Sequence, residues 1–216
     1  MKLPHDAHIK LSQNVTTESV RLMADALREG GVVVFPTETV YGIGCLVSPA
    51  NTQAKQRVYT IKQRPLEMPL PLLIGDSTWI ERFAPQAPDY AQKLAQAFWP
   101  GALTLILKVS DEAARTFGAA SDGTLALRCP DHAFIRAVLN ELNAPMYATS
   151  ANTHGAPSPA TAHALEQCIT DAADLIVDGG PCSVGRPSTI VDCTGAKPLV
   201  VREGEISQED IEQVLL

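Results

Sequence analysis

Residues 30–42 read Gly30-Gly31-Val32-Val33-Val34-Phe35-Pro36-Thr37-Glu38-Thr39-Val40-Tyr41-Gly42, and this stretch decides the fold class. Four consecutive apolar residues, three of them β-branched, describe a strand covered on both faces rather than one with a wet side. Pro36 has no N–H to give a ladder and stops the strand, so Thr37 to Tyr41 lie at its carboxyl end. Upstream, Val20, Met23 and Leu27 recur at helical spacing, with Thr16 or Thr17 as N-cap and Gly30-Gly31 as terminator. A helix, a tight turn and a buried strand in immediate succession predict an α/β protein.

Working outward, Asn51 caps a helix over 51–61 whose Ala54, Val58 and Ile61 face inward, which leaves Lys55, Arg57 and Lys62 toward solvent or ligand. A strand follows at 70–74, a helix at 90–98, and an antiparallel or edge-facing strand at 102–109, where Leu103, Leu105, Leu107 and Val109 alternate with Thr104, Ile106 and Lys108. Over 124–128 the period of two puts Thr124, Ala126 and Arg128 on one face, directed into a cleft. Asp131 caps a helix carrying Phe134, Val138 and Leu142, and the strand at 146–149 ends in Ser150-Ala151-Asn152. The last third predicts a short helix at 161–168, strands at 175–177, 189–191 and 199–201, and a closing helix from Ser207 with Asp210 in a capping box. One mixed, twisted sheet with flanking helices accommodates these elements, in an order the connections leave open.

At 216 residues, with no linker, repeat or charge block, the chain reads as an N-terminal extension, 1–15, followed by one domain, 16–216. A net charge of −7 disfavours extended binding to nucleic acid, whose affinity comes mainly from Lys and Arg displacing counterions. Lys55, Arg57, Lys62 and Arg64 nevertheless cluster without an intervening acid, a local patch suited to a small polyanion. The five cysteines, Cys45, Cys129, Cys168, Cys182 and Cys193, are scattered and form no Cys-x-x-Cys pair. They suggest neither disulfides nor a zinc site and read as buried small hydrophobes. Pro4, His5, Asp6 and His8 stand where a signal peptide would be apolar, and no segment is long and apolar enough for a bilayer, so a soluble cytoplasmic protein is expected. Walker, nucleophile-elbow and His-Glu-x-x-His motifs are missing, and His154 and Cys45 read as ordinary loop and core residues.

Hydroxyls and cations crown several element ends, the arrangement of an anion site. Lys62 and Arg64 straddle Gln63 before Pro65. Each contact to phosphate would contribute roughly 1.5 to 3 kcal/mol, whereas Lys62 as a mere partner of the helix dipole would contribute roughly 0.3 to 1 kcal/mol. Arg128 suits a substrate carboxylate or a bridge to Asp131. Ser150, Ser158 and Ser188 suit phosphate, ribose or ordinary turns. Arg202 suits adenine stacking or a bridge to Glu203 or Glu205. Spacing alone leaves these alternatives open.

Six segments in series carry a resemblance: 35–44 (FPTETVYGIG), 62–65 (KQRP), 99–104 (WPGALT), 149–152 (TSAN), and 188–192 (STIVD) followed by 201–204 (VREG). In this order they resemble the YrdC/Sua5 family of threonylcarbamoyl-adenylate synthases. The resemblance implies a single YrdC-like domain, a twisted mixed sheet around a concave basic cavity. It also implies a nucleotidyltransferase that makes threonylcarbamoyl-AMP, pyrophosphate and water from L-threonine, bicarbonate or CO2, and ATP. A partner complex would transfer the threonylcarbamoyl group to adenosine 37 of certain tRNAs. Carried across, Lys62 and Arg64 would be the catalytic pair on the ATP phosphates. Thr37, Tyr41, Thr124 and Arg128 would surround threonine, with Arg128 on its carboxylate and Ala148 and Ser188 completing that side. Ser150, Asn152, Ser158 and Arg202 would serve the nucleotide. Mg²⁺ would arrive with ATP and need no protein ligands, and no residue is marked as a general base.

Two departures accompany the resemblance. Glu67-Met68-Pro69-Leu70 replaces a more polar stretch, and Leu72-Leu73 stands where long members tend to carry histidine. The sequence ends at Leu216, so the long form's C-terminal domain is not expected as a lid. Two rivals remain: adenylation of a different carbamoyl substrate, as in a related domain of hydrogenase maturation proteins, and direct binding of tRNA or double-stranded RNA.

Overall fold

The computed structural model of the protein describes residues 7–11, 15–48 and 51–216. Ten strands are described: β1 (Ala7–Lys10), β2 (Val33–Phe35), β3 (Gly42–Leu46), β4 (Leu72–Leu73), β5 (Leu103–Lys108), β6 (Thr124–Arg128), β7 (Met146–Ser150), β8 (Leu175–Asp178), β9 (Thr189–Asp192) and β10 (Leu199–Arg202). The helices are α1 (Thr17–Arg28), α2 (Thr52–Lys62), α3 (Trp79–Phe83), α4 (Asp89–Phe98), α5 (Asp111–Phe117), α6 (Ala133–Leu142), α7 (Gln167–Ala172) and α8 (Gln208–Leu215). The strands form one twisted mixed sheet in the order β1-β8-β2-β3-β7-β4-β6-β5-β9-β10. β2 runs parallel to β8 and antiparallel to β3, while β7 lies antiparallel to both β3 and β4.

The run that decided the fold class behaves as read. Val33 and Phe35 pack with α1 and α6 on one face, whereas Val32 and Val34 enter the larger core on the other, beside α2 and α4. All four are fully buried. Thr16 caps α1 by accepting from the Ser19 N–H, and Ser207 with Asp210 forms a complete capping box on α8.

Several local expectations change. β5 is antiparallel to β6, in keeping with the first of its two readings, but it is not an edge strand, because parallel β9 flanks its other side. The strand expected over 70–74 shortens to two residues, and the helix expected over 161–168 becomes a 3-10 turn, Ala162–Ala164, before α7. Asn51 precedes α2 without a capping bond, its amide donating instead to the Leu27 carbonyl at the end of α1. His132, not Asp131, directly precedes α6. Of the segment read as an N-terminal extension, Ala7–Lys10 joins the sheet beside β8, and residues 1–6 and 12–14 lie outside the described ones. Cys45, Cys129 and Cys193 are buried, but Cys168 is exposed and Cys182 only partly covered, so the reading of all five as core residues fails for those two.

Glycine is required where β3 meets β7. A Cβ on Gly44 would lie 2.1 Å from the Tyr147 carbonyl oxygen, a backbone atom that yields only if the strands separate. Gly44→Ala is therefore expected to destabilise the fold by at least about 2 kcal/mol, read as a lower urea midpoint. A midpoint equal to that of the parent protein would contradict this account of the β3–β7 approach.

Candidate active site

Where the cover of α1 and α6 ends, the sheet face carrying Phe35, Leu73 and Ala148 continues as the floor of a cavity, with Thr104 and Ile190 beside them. Parity explains the choice of residues. Leu125 and Leu127 of β6 face the larger core, so Arg128 falls on the opposite, cavity side. A register irregularity between Val200 and Arg202 lets β10 aim Arg202 into the same space. Arg64 reaches it from the loop after α2.

These three arginines share one pattern. Arg64 donates through Nε to the Met68 carbonyl (3.0 Å) and through Nη2 to that of Pro69 (3.0 Å). Arg202 donates through Nη2 to the Ser188 carbonyl (2.7 Å). Arg128 donates through Nε to the Gly101 carbonyl (3.1 Å), and through Nη2 to Glu38 Oε1 (2.7 Å) and Thr39 Oγ1 (2.9 Å). In each, Nη1 has no hydrogen bond among the described residues, and all three side chains line the cavity. The groups also sense one another. Packing around its guanidinium, followed by the charges of Arg128 and Arg64, lowers the pKa of Arg202. Three cations held within mutual range, anchored mainly by neutral carbonyls, make a site that favours an anion.

The loop after β2 supplies the hydroxyl wall. Thr37 Oγ1 donates to the Val40 carbonyl (2.6 Å) and accepts from the Thr39 and Val40 N–H groups. With that proton committed, Thr39 Oγ1 must be the donor in its 2.9 Å contact with Thr37 Oγ1, which leaves its lone pair for Arg128. Tyr41 gives the cavity its ring. Its hydroxyl donates to the Gly180 carbonyl (2.8 Å) and accepts from Gly179 N (3.1 Å), and burial, reinforced by Asp178, raises its pKa to about 12. Ser188 Oγ pairs with Thr104 Oγ1 at 2.9 Å, both buried at the cavity wall. Thr189 Oγ1 accepts from the Gly204 and Ile206 N–H groups, which joins the 188–192 and 201–204 segments.

Lys62 departs from its expected position. It is 2% exposed rather than solvent-facing, and Nζ donates to the carbonyls of Ser150 (2.5 Å) and Asn152 (2.6 Å). Its own carbonyl accepts from His154 N (2.8 Å). Asn152 Nδ2 in turn donates to the Thr153 and Ala156 carbonyls, and Glu166 binds Thr153 through its N–H and hydroxyl. Lys62 thus ties the end of α2 to the turn after β7, an arrangement neither of its two sequence readings anticipated. The supposed basic patch is also divided, because Lys55 lies over the Tyr147 ring and Arg57 pairs with Asp174.

Of the expected site residues, Thr37, Tyr41, Arg64, Arg128, Ala148, Ser150, Ser188 and Arg202 meet around the cavity. Lys62, Thr124, Asn152 and Ser158 are not on its wall. Thr124 bonds Asp122 at the far end of β6, about 13 Å of strand from Arg128. Ser158 precedes Pro159, whose carbonyl accepts from Tyr41 N. Arg128 pairs with Glu38 and not with Asp131. Glu38, Thr39, Thr104 and Ile190 were not singled out, although all four lie inside quoted stretches, the first two in 35–44, Thr104 at the end of 99–104 and Ile190 in 188–192.

The family model Sua5_yciO_yrdC, described as telomere recombination, matches residues 25–204. The threonylcarbamoyl-AMP synthase of Bacillus subtilis is 41% identical over 192 residues, covering 89% of this chain and 55% of that protein. A putative threonylcarbamoyl-AMP synthase of Mycobacterium tuberculosis is 38% identical over 190 residues, covering 88% of this chain and 86% of that one. The crystal structure of Pyrococcus abyssi Sua5 complexed with L-threonine superposes with a TM-score of 0.86 at 34% identity, covering 96% of this chain and 60% of that one. The chain therefore spans little more than half the length of the Bacillus relative.

The ammonium of Lys62 offers a test that needs no ligand. Burial, assisted by Arg64 and opposed by Glu166, lowers its pKa from 10.5 to about 8. The unfolded chain keeps that proton up to 10.5, so this group's contribution to stability increases as pH rises between these values. A lysine-selective NMR titration should place the Nζ midpoint near 8, raised by Arg64→Met and lowered by Glu166→Gln. An ordinary midpoint, insensitive to both changes, would contradict the buried clamp.

Proposed function

The chain belongs to the Sua5/YciO/YrdC family, and from that membership we propose that it is an L-threonylcarbamoyladenylate synthase, a nucleotidyltransferase acting on L-threonine, bicarbonate or CO2, and ATP. The observation that carries this reading is the convergence of Arg64, Arg128 and Arg202 on one cavity with Nη1 of each left open. A substrate pair bearing one carboxylate and one polyphosphate suits three such cations. An apolar floor of Phe35, Leu73 and Ile190 would strengthen every contact by excluding water.

In the proposed reaction the threonine amine adds to CO2, and an oxygen of the resulting carbamate attacks the α-phosphorus as pyrophosphate departs. With bicarbonate as the carbon source the products are the adenylate, pyrophosphate and water. Arg128 receives the threonine carboxylate through Nη1, beside the Thr37 loop and the Ser188–Thr104 pair. Arg64 and Arg202 take the phosphates, where negative charge accumulates as the leaving group separates. Lys62 has two N–H groups committed to carbonyls, so it acts chiefly by fixing the turn that presents Ser150. The protein's contribution is positioning and preorganised charge rather than covalent chemistry.

Mg²⁺ is expected with ATP. Among the described residues no group of three or more His, Cys, Asp or Glu is arranged to hold a metal, and Glu38 is engaged by Arg128. No Asp or Glu stands on the cavity wall, so the metal is assigned to the phosphates and no step is derived through it. We place the reaction in the cytoplasm, with the product handed to a complex that transfers the group to tRNA. In support, all five cysteines are free, and no described helix is long and apolar enough to cross a membrane. Direct RNA binding is not favoured, since the cations line a cleft and the Lys55 to Arg64 cluster is dispersed among separate partners.

Protein supplied with ATP, Mg²⁺ and bicarbonate should release pyrophosphate only when L-threonine is present. Because a charge-assisted contact contributes roughly 1.5 to 3 kcal/mol, Arg64→Ala should raise KM for ATP by about tenfold or more and leave that for threonine nearly unchanged. Arg128→Ala should do the reverse. Threonine-independent release, or two variants with intact kinetics, would sink the assignment.

A further inference from the structure

We propose that Glu38 is the positioning residue that holds Arg128 in its binding orientation, acting behind the guanidinium rather than on the ligand. The pair is enclosed: side-chain exposure is 10% on each partner, and Oε1 lies 2.7 Å from Nη2. Glu38 does not line the cavity, and its Oε2 is buried without a hydrogen-bond partner. A carboxylate meant for a ligand would turn an oxygen to the open space, whereas this one spends its hydrogen bond on Arg128, with His132, Cys129 and Cys182 near enough to sense its charge.

Counting donors gives the consequence. A guanidinium has five N–H groups. One of Arg128's goes to Gly101 and two, on Nη2, go to Glu38 and Thr39. The two on Nη1 remain, so the fork is fixed with one end toward the cavity. Glu38 is itself fixed by its backbone: its carbonyl accepts from Val184 N (2.9 Å) and Ser183 Oγ (3.3 Å), and the next carbonyl, that of Thr39, accepts from Gly185 N (2.9 Å). The carboxylate also offsets one of three neighbouring positive charges, which opposes the repulsion that would swing Arg128 away from Arg202 and Arg64. A neutral Gln at position 38 can keep the acceptor at the Oε1 position, but it removes the balancing charge and sets two N–H donors where Oε2 is buried without a partner, so it restores only part of the hold on Arg128.

The part of this inference that concerns threonine rests on the proposed function, so the test has one arm with the amino acid and one without. Calorimetric titration of L-threonine into Glu38→Ala should show affinity about tenfold weaker or worse, the loss of one charge-assisted contact. ATP affinity measured on the same protein should be nearly unchanged, and Glu38→Gln, which keeps the acceptor but not the charge, should recover only part of the threonine affinity. In the ligand-free arm, phenylglyoxal modification followed by peptide mapping should label Arg128 several-fold faster in Glu38→Ala than in the parent protein, with Arg64 and Arg202 unaltered and Glu38→Gln between the two. Equal labelling of Arg128 in all three proteins overturns the inference whatever the cavity binds. Parallel loss of threonine and ATP affinity overturns it in favour of a general structural role. If the parent protein binds no threonine while Arg128 labelling still responds to Glu38, the threonine assignment falls and the positioning role stands.

Discussion

The enclosed pairing of Arg128 with Glu38 is the constraint around which the site is arranged. Removing both charges from water costs several kcal/mol, and their attraction offsets this only when the remaining donors are also satisfied. That condition draws in Thr39, Thr37 and the Gly101 carbonyl, which come from the loop after β2 and the turn before β5. One ion pair therefore fixes the end of β6 against two other segments. The cavity wall follows from this junction, because Thr37 and Tyr41 flank Glu38 in sequence and Thr104 closely follows Gly101.

The other two arginines are restrained differently. Arg64 and Arg202 rest on backbone carbonyls, which orient a guanidinium without cancelling its charge. Lys62 makes the same kind of contact on the turn after β7 but turns away from the cavity wall. The result separates duties by chemistry: one cation is balanced by an acid and rigidly set, two keep their full charge at the mouth, and a fourth holds the backbone. A small carboxylate beside a polyphosphate is the ligand pair this distribution suits.

The fold was legible where local chemistry and burial agree. The 32–35 run is apolar at every position because helices cover both sides, and Ser207 with Asp210 marks a helix start through bonds made within four residues. Arg128 was legible from parity, which assigns a face. Parity does not assign distance along the strand, so Thr124 was grouped with a cavity it does not reach. Lys62 shows the complementary limit. Helical phase puts it at the end of α2, but its partners lie 88 and 90 residues away and leave no local trace. β4 was overestimated because Leu70 and Leu72 to Ile74 are all buried while only Leu72 and Leu73 are strand. Glu38 reads from sequence as one more polar residue in a turn, and only the fold reveals that its partner is the end of β6.

The central claim is that the arginine-lined cavity joins an amino acid to the α-phosphate of a nucleotide. Mass spectrometry of the products formed from ATP, L-threonine and ¹³C-bicarbonate tests it most directly. The account requires one adduct containing AMP, threonine and a single labelled carbon, with pyrophosphate as the other product. ADP with inorganic phosphate, or AMP without the labelled carbon, would contradict it.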